Sequence, residues 1–237
     1  MVNIIRSIIF NFFYIFGSLF WSIALLWSLP LPQMITNKIV RNTYFAYMRF
    51  ISTHIMGIKL EIRGLENLPK TGSYILASKH QSAYETLMLP LISKNIAIIL
   101  KRELTWLPIW GWYPIGMGMI PIDRGSAIQA IKSIKKGVKR VAAQERPILI
   151  FPQGTRTKPG AVADYKPGLA MIYKGSDLPI IPMALNSGVY WPKNTFLKKS
   201  GTVVFEFLSA IPAGLPHKEA IAKTEALLEK HSNALLD

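Results

Sequence analysis

The chain has 237 residues, and its 28 Lys and Arg against 13 Asp and Glu leave a formal charge of +15. Half of the residues are hydrophobic and 17% are charged, which excludes an intrinsically disordered chain and supplies enough apolar side chains for a core. Cysteine is absent, so disulfide bonds, thiolate metal sites and a catalytic cysteine are excluded. The positive charge favours an anionic partner, but nucleic acid, anionic lipid and small anionic substrates would all satisfy it.

The N-terminal region is uncharged over a long stretch. Arg6 is the only charged residue before Lys38, so residues 7–37 carry no charged side chain. As one straight helix these 31 residues would extend roughly 46 Å, which exceeds the ~30 Å hydrocarbon core of a bilayer. The stretch is too long for a signal peptide and no cleavage-site pattern of small residues follows it, so it predicts membrane insertion.

This apolar stretch must tilt, bend or break to fit a bilayer, and Asn11, Gly17 and the Pro-Leu-Pro segment at residues 30–32 are candidate break points. Two arrangements are open: one transmembrane helix over residues 8–28, or a helical pair buried in one leaflet. Five basic residues follow the stretch closely: Lys38, Arg41, Arg49, Lys59 and Arg63. This excess over the preceding segment predicts that the body of the protein lies on the cytoplasmic face of the membrane.

Downstream of the apolar stretch, helical and strand-like patterns follow one another. A helix is predicted over residues 37–55, where apolar residues recur at helical spacing up to Gly57. Short apolar runs predict strands at residues 58–62, 74–77, 96–100, 147–151, 180–185 and 202–207. Further helices are predicted at residues 83–93, 126–143, 168–174 and 218–236.

This alternation predicts an α/β fold. Near-continuous apolar strands separated by helices are typical of a mostly buried, mixed sheet flanked by helices. No repeat or low-complexity linker divides the sequence. We therefore expect a membrane-anchoring segment with membrane-embedded helices at residues 1–56, followed by a single α/β domain at residues 57–237.

The helix predicted at residues 126–143 is strongly basic. Its apolar stripe is accompanied by five cations and no acid: Lys132, Lys135, Lys136, Lys139 and Arg140. Two interpretations are open, a solvated face over a packed stripe, or attraction to anionic lipid, where each basic residue contributes ~1 kcal/mol. Nucleic-acid binding is disfavoured because this stretch lacks interleaved aromatic residues and the chain carries no evident nucleic-acid module.

One of the four histidines directly follows an apolar strand. His80 comes after residues 74–77, where a strand ends and a helix begins, and α/β proteins present reactive side chains at such places. Glu85, five residues on, can meet His80 only if the helix starts between them. The sequence from Ser82 to Glu85 matches a capping box, so two roles are open for Glu85: a helix cap, or a carboxylate that orients His80 as a general base.

A second candidate element also follows a predicted strand. Residues 151–156 read Phe-Pro-Gln-Gly-Thr-Arg, in which a glycine turn, a hydroxyl donor and a forked cation suit a phosphate group. Two weaker elements lie at strand ends, a cation at Lys101 and the Ile-Asp-Arg triplet at residues 122–124. None of these patterns is specific alone. The remaining histidines lack metal-ligand spacing, so no metal site is predicted.

Taken in chain order, these elements resemble the motifs of the membrane-associated glycerolipid acyltransferases, in particular the 1-acyl-sn-glycerol-3-phosphate acyltransferases. Four blocks correspond to the four family motifs: residues 80–85, 122–124, 151–156 and 181–182. The sequence departs from the family pattern at two positions. Glu85 stands where the family usually has Asp, which keeps the carboxylate, and Gln153 stands where it usually has Glu, which removes a charge.

The resemblance implies an activity and assigns residues to it. His80, oriented by Glu85, would remove the proton from the 2-hydroxyl of lysophosphatidate, whose oxygen attacks an acyl thioester to give phosphatidate. Five residues are implied to hold the substrate phosphate: Lys101, Arg124, Gly154, Thr155 and Arg156. The co-substrate would be acyl-CoA or acyl-carrier protein, with no other cofactor. The expected partners are these substrates and membrane lipid, with no nucleic acid.

Three alternatives stay open at this point. The nearest is an acyltransferase for another lyso-lipid, such as a lyso-ornithine lipid, because Gln153 changes the charge of the third motif. The second is a non-catalytic, membrane-anchored protein that binds lipid or nucleic acid through its basic surface. The third is a lipid hydrolase, although the sequence lacks the Gly-x-Ser-x-Gly elbow of a triad hydrolase.

Overall fold

A seven-stranded mixed sheet forms the centre of the computed structural model, which describes residues 1–123 and 125–236. The strands are β1 (Ile58–Arg63), β2 (Ile75–Ser78), β3 (Ala97–Lys101), β4 (Ile120–Ile122), β5 (Ile148–Ile150), β6 (Ile180–Leu185) and β7 (Gly201–Phe207). Their order is β1-β7-β6-β2-β5-β3-β4, and among these described strands only β6 and β7 pair antiparallel. The predicted α/β fold with a mixed sheet is confirmed.

Helices cover both faces of this sheet. They are α1 (Val2–Ala24), α2 (Gln33–Val40), α3 (Ala46–His54), α4 (Tyr84–Ile92), α5 (Trp112–Gly116), α6 (Ala127–Ala142), α7 (Gly168–Gly175), α8 (Ser187–Tyr190) and α9 (His217–Ala234). Successive residues of a strand point to opposite faces. Leu76 of β2 accordingly joins the core formed with α1 to α4, whereas Ile75 and Ala77 join the core formed with α6, α7 and α9.

The N-terminal helices form an antiparallel hairpin. The chain turns at residues 25–32, and α2 then continues through a π-helical turn into α3, which runs back along α1. The Tyr47 hydroxyl of α3 donates to the Phe13 carbonyl oxygen of α1 at 2.8 Å, and a side chain at Gly17 would collide with the Tyr47 ring. Of the candidate break points, the Pro-Leu-Pro segment lies in the turn, while Asn11 and Gly17 lie inside α1.

α1 is attached to the α/β domain near both of its ends. Near its start, the Ser7 hydroxyl accepts from the Lys198 backbone N–H at 2.9 Å. Near its end, the Tyr113 hydroxyl donates to the Ser22 carbonyl oxygen at 2.6 Å. A helix held at both ends lies along the surface of the domain. The packing therefore agrees with the helical pair considered from the sequence better than with a lone span that projects from the domain.

Lys198 places a buried cation between α1 and the loop before β7. Its Nζ donates to Asn11 Oδ1 at 2.7 Å and lies over the rings of Phe10 and Trp191, 5.4 and 5.3 Å from their centroids. Burial lowers the pKa of the Lys198 ammonium to about 8, because removal from water disfavours the charged form. The amide oxygen and the aromatic rings offset part of that desolvation cost.

The outer face of α1 is apolar and exposed. Among the described residues, α1 is the one helix long and apolar enough to cross a membrane, and only 11% of its apolar window is buried. Phe12, Phe16 and Phe20, spaced four residues apart on one face of the helix, are each more than half exposed. An exposed apolar stripe of this size indicates association with a membrane.

Parts of the fold differ from the sequence-based prediction. The edge strand β4 ends at the triplet that was placed at a strand end, but its range was not predicted because it has three residues with Pro121 at its centre. Proline is tolerated there because β3 alone pairs with this strand. Helices α5 and α8, of five and four residues, are too short to show a period. The helix predicted at residues 37–55 begins earlier and is divided into α2, a π-helical turn at Arg41–Phe45 and α3. The boundary at residue 56 stays a prediction.

Candidate active site

Four strands bring the predicted functional elements to one edge of the sheet. His80 follows β2, residues 151–156 follow β5, Lys101 ends β3, and Asp123 follows β4. These strands are parallel neighbours, so their carboxyl ends lie together. Five predicted site residues line one cavity of about 670 Å³ there: His80, Lys101, Gly154, Thr155 and Arg156. Arg124 was also predicted to bind phosphate and lies outside the described residues.

Glu85 makes both kinds of contact that the sequence left as alternatives, one with the turn before α4 and one with His80. Its Oε1 lies 2.8 Å from His80 Nδ1. The same oxygen accepts from the backbone N–H groups of Gln81 and Ser82, each at 2.8 Å. Ser82 Oγ accepts in turn from the Tyr84 N–H at 3.1 Å, at the start of α4. The carboxylate thus closes the turn before α4 and contacts the imidazole.

The second carboxylate oxygen of Glu85 has its own donor, which the sequence analysis missed. Ser187 Oγ of α8 donates to Glu85 Oε2 at 2.7 Å, although the two residues are 102 positions apart. Both are fully buried, so hydrogen bonds replace water around the carboxylate and hold it against His80. The available signal was indirect: β6 carries the fourth family motif and ends two residues before Ser187.

The His80 ring is fixed from a second side. It stacks on Phe151, with ring centroids 3.9 Å apart and 18° between the planes. The His80 carbonyl oxygen accepts from the Thr157 N–H at 2.8 Å, which ties the turn to the loop after β5. A carboxylate at Nδ1 favours the tautomer that carries its proton there. Nε2 is then the nitrogen able to remove a proton from a substrate in the cavity.

Four cations line the cavity, and no acid is among its described lining residues: the cations are Lys101, Arg156, Lys166 and Lys193. The sequence predicted the first two. It missed Lys166 and Lys193 because neither belongs to a recognisable motif. Lys166 lies in the loop after β5, beyond the motif at residues 151–156, and the fold brings Lys193 to that loop from the segment after α8. Several positive charges around a concave site attract an anionic group such as a phosphate.

The loop after β5 turns back at Gly154. This residue has φ +70°, a left-handed conformation that favours glycine, and its N–H donates to the Phe151 carbonyl oxygen at 2.9 Å. Lys193 supports the next two residues, since its Nζ donates to Thr155 Oγ1 at 3.4 Å and to the Arg156 carbonyl oxygen at 3.2 Å. The predicted phosphate loop is therefore a defined turn beside the His80 ring.

Gln153 is buried within this loop. Its side chain is 2% exposed, and the Thr157 hydroxyl donates to its Oε1 at 3.4 Å. Its Nε2 is buried and has no hydrogen-bond partner among the described residues. A glutamine here leaves the cavity without the negative charge that the usual family residue would add.

A smaller, apolar cavity of about 200 Å³ adjoins the first. Four residues line both cavities: Thr86, Ile98, Leu100 and Leu104. The N-terminal hairpin supplies part of the apolar wall through Trp21, Leu25, Val40, Tyr44 and Phe45. A cavity with this lining suits a hydrocarbon chain, and it opens beside the polar site.

The described residues contain no group of three or more His, Asp or Glu side chains that could hold a metal ion. Two of the other histidines contact residues outside the cavity. His231 Nδ1 lies 3.2 Å from Glu206 Oε2, and the His54 ring packs against Phe50.

Sequence comparison matches residues 59–186 to a family model described as Acyltransferase, a range that includes His80 and the loop after β5. A 1-acyl-sn-glycerol-3-phosphate acyltransferase of Pseudomonas aeruginosa is 32% identical over 203 residues, 85% of this chain and 79% of the relative. Its counterpart from Limnanthes douglasii is 28% identical over 81% of this chain and 67% of the relative. The alpha form from Mus musculus is 31% identical over 56% of this chain and 47% of the relative.

A solved structure shares the whole fold. The crystal structure of the 1-acyl-sn-glycerophosphate (LPA) acyltransferase PlsC from Thermotoga maritima covers 98% of this chain, and the match spans 95% of that protein with a TM-score of 0.76. The two sequences are 20% identical over the match. The similarity extends over the N-terminal hairpin as well as the sheet.

Proposed function

Because this chain belongs to the acyltransferase family of the 1-acyl-sn-glycerol-3-phosphate acyltransferases, we propose that it transfers a fatty acyl group from an acyl thioester to the 2-hydroxyl of lysophosphatidate. The product is phosphatidate, an intermediate of phospholipid biosynthesis. One observation supports this assignment most directly: the buried His80–Glu85 pair opens into a cavity lined by cations. Family membership makes the protein an enzyme, so the non-catalytic alternative is set aside.

In this proposal His80 is the general base. Its Nε2 removes the proton of the 2-hydroxyl while the hydroxyl oxygen attacks the thioester carbonyl carbon, so that a C–O bond forms and the C–S bond breaks. The imidazolium then returns the proton to the departing thiolate. Glu85, held by Ser187, stabilises the positive charge on the ring during this exchange. No acyl-enzyme is required.

The phosphate of the acceptor lies among the cations of the cavity. Arg156 offers a forked donor set, and Lys166, Lys193 and Lys101, at the end of the neighbouring strand β3, add further positive charge. Thr155 adds a hydroxyl, and Gly154 lets the loop approach the anion closely. Arg124 keeps its predicted role in phosphate binding. Holding the phosphate fixes the neighbouring 2-hydroxyl at His80, which converts an encounter in solution into a bound geometry.

Membrane attachment brings the acceptor to this site. We propose that the hairpin of α1 to α3 lies in one leaflet, with the α/β domain on the cytoplasmic face and residues 1–56 as the anchor. The apolar cavity beside the site is walled in part by the same hairpin, so it receives an acyl chain that enters from the bilayer. The exposed phenylalanines of α1 face the lipid.

The acyl donor comes from the aqueous side. The basic helix α6 lies on the sheet face opposite α1 to α4, and its lysines Lys132, Lys135, Lys136 and Lys139 are exposed to solvent there. This placement favours an anionic donor in solution over anionic lipid as the partner of α6. Acyl-CoA and acyl-carrier protein are both acidic and both fit; no other cofactor is proposed.

A second acceptor stays open because of Gln153. Without the acidic residue usual at this position, the cavity carries less negative charge, which changes its preference among lyso-lipid headgroups. A lyso-lipid with a different headgroup, such as a lyso-ornithine lipid, is therefore the second candidate.

The test is thiol release from a long-chain acyl-CoA by the detergent-purified protein, with and without lysophosphatidate, and with identification of the lipid product. We expect release only with the acceptor, and phosphatidate as the product. Release without any acceptor would indicate thioester hydrolysis and contradict the proposal. If lysophosphatidate is inert while lyso-ornithine lipid is acylated, the second candidate acceptor replaces the first. The same assay is run in parallel with acylated acyl-carrier protein as the donor.

A further inference from the structure

An ion pair between a buried lysine and a partly exposed glutamate lies directly behind the turn that carries His80. Lys79, the residue before His80, is 1% exposed, and its Nζ donates to both carboxylate oxygens of Glu229 at 2.7 Å. Glu229 belongs to the C-terminal helix α9, 150 positions away in sequence. No family motif noted in the sequence includes either residue, and the proposed mechanism does not use them.

Strand geometry explains where the Lys79 side chain goes. Ile75 and Ala77 of β2 face the layer of α6, α7 and α9, and alternation sends the side chain of Lys79 to the same layer. The lysine therefore reaches α9, while the backbone turns away from the sheet into His80. A buried ammonium needs a paired carboxylate, so the position of Glu229 determines how the chain leaves β2.

The same carboxylate also holds the other half of the site. The Tyr165 hydroxyl donates to Glu229 Oε1 at 3.1 Å. Tyr165 precedes Lys166, which lines the cavity and whose N–H donates to the Pro152 carbonyl oxygen at 2.8 Å. Burial together with the charge of Glu229 raises the pKa of the Tyr165 phenol, so it stays a neutral donor. One side chain of α9 thus contacts both loops that form the site.

We propose that Glu229 and Lys79 are positioning residues of the acyltransferase: Glu229 sets the His80 turn through Lys79 and sets the phosphate loop through Tyr165, so that base and acceptor phosphate keep a fixed separation. Neither residue lines the cavity in which the substrate is proposed to bind. The inference rests on the proposed function only for the rate measurement described below. It assigns a role to the C-terminal helix α9, which contributes no described residue to the cavity lining.

The pair is tested by a double substitution that separates position from stability. Glu229→Leu alone leaves the buried Lys79 ammonium unpaired and is expected to lower the Tm by roughly 10 °C. Lys79→Met leaves the partly exposed Glu229 without its cation and is expected to lower the Tm by less. Lys79→Met combined with Glu229→Leu removes both charges and is expected to restore most of that loss. The double variant should nevertheless show a kcat at least tenfold below wild type, with KM for the acyl donor changed less than twofold.

A control pair lies on the same helix. Lys223 Nζ contacts Glu219 Oε1 at 2.7 Å on the exposed side of α9. Lys223→Met combined with Glu219→Leu should leave kcat unchanged. Wild-type kcat in a folded Lys79/Glu229 double variant would overturn the proposal, because the pair would then act on stability alone.

Two further measurements keep the proposal testable if the double variant does not fold or the acceptor is another lipid. Tyr165→Phe removes one hydroxyl and should raise KM for the lyso-lipid roughly threefold or more at unchanged Tm; an unchanged KM would overturn the link to the phosphate loop. NMR of ¹⁵N-histidine-labelled protein, with the His80 signal assigned from His80→Ala, needs no substrate. The Nδ1–H proton at Glu85 should weaken in Glu229→Gln and persist in Glu219→Gln; its persistence in both would also overturn the proposal.

Discussion

The two helical layers on the sheet expose opposite chemistry. The layer of α1 to α4 presents the apolar stripe of α1, whereas the layer of α6, α7 and α9 presents the cations of α6. The candidate active site lies between them, at the edge where β2, β3, β4 and β5 end. The difference indicates how the protein is oriented relative to the membrane. One face suits lipid and the other suits an anionic solute. The candidate site lies where substrates from both sides can meet.

Removal of the apolar stripe of α1 is the change with the largest expected effect on membrane binding. Replacing Phe12, Phe16 and Phe20 by Ser should shift the protein from the membrane to the soluble fraction by at least 100-fold, because each buried Phe contributes roughly 2 kcal/mol. Flotation with lipid vesicles measures the shift. The matched change on the other layer, Lys132, Lys135 and Lys136 to Ser, should leave flotation nearly unchanged. Equal loss in the two triple variants would contradict the assignment of faces.

Ser187→Ala tests how far the site depends on the buried carboxylate. The change leaves Glu85 Oε2 without its donor at 2.7 Å. An unsatisfied buried oxygen costs ~1–3 kcal/mol, and we expect kcat to fall about tenfold. Steady-state kinetics under saturating donor gives the value. Ser176→Ala, which removes a hydroxyl bonded within α7, serves as the control; equal effects of the two substitutions would argue against a role for Ser187.

Gln153→Glu sharpens the contrast between this cavity and the usual family site. The substitution preserves shape and adds a negative charge beside the proposed phosphate site, so KM for lysophosphatidate should rise several-fold at low salt and less at high salt. Kinetics at two ionic strengths measures the effect. The exposed Gln144→Glu should not change KM. A lower KM for Gln153→Glu would show that the position does not face the phosphate.

The smallest expected effect concerns the joint between hairpin and domain. Lys198 has a pKa of about 8 in the folded protein and 10.5 as its ordinary value. Between these values the unfolded chain binds the extra proton, so Lys198 makes the free energy of unfolding rise as pH increases from about 8 to 10.5. Lys198→Met should lose this rise. Thermal unfolding of the wild type and of Lys198→Met across that pH range measures the difference. The same pH dependence of the free energy of unfolding in both proteins would contradict a lowered pKa for Lys198.

Most of the sheet could be predicted because its strands are short, continuous apolar runs. The predicted strand at residues 180–185 matches β6 at both ends, while β4 was missed because Pro121 interrupts so short a run. The hairpin could be anticipated from its length and prolines. Its attachment through Lys198 could not, because that contact joins segments 187 positions apart.

Only part of the candidate site could be predicted from the sequence. His80, Glu85 and the loop around Gly154 are local in sequence, so motif order and a capping pattern indicated them. Ser187 and Lys193, which follow β6, reach the site only through the fold, which no local pattern encodes. Lys166 lies in the loop after β5 but outside the recognised motif. The sequence also left the two roles of Glu85 as alternatives. In the structure one carboxylate makes both contacts, because the turn before α4 brings the imidazole and two backbone N–H groups to the same oxygen.

We propose above that His80 is the general base of an acyl transfer at this edge of the sheet. The most direct measurement is the rate of phosphatidate formation by His80→Ala, run beside the wild type at equal folded and membrane-bound concentration. We expect the rate of phosphatidate formation to fall at least 100-fold, because a general base contributes ~10²- to 10⁴-fold to the rate. Vesicle binding and Tm should stay unchanged. Turnover within tenfold of wild type would contradict this role of His80.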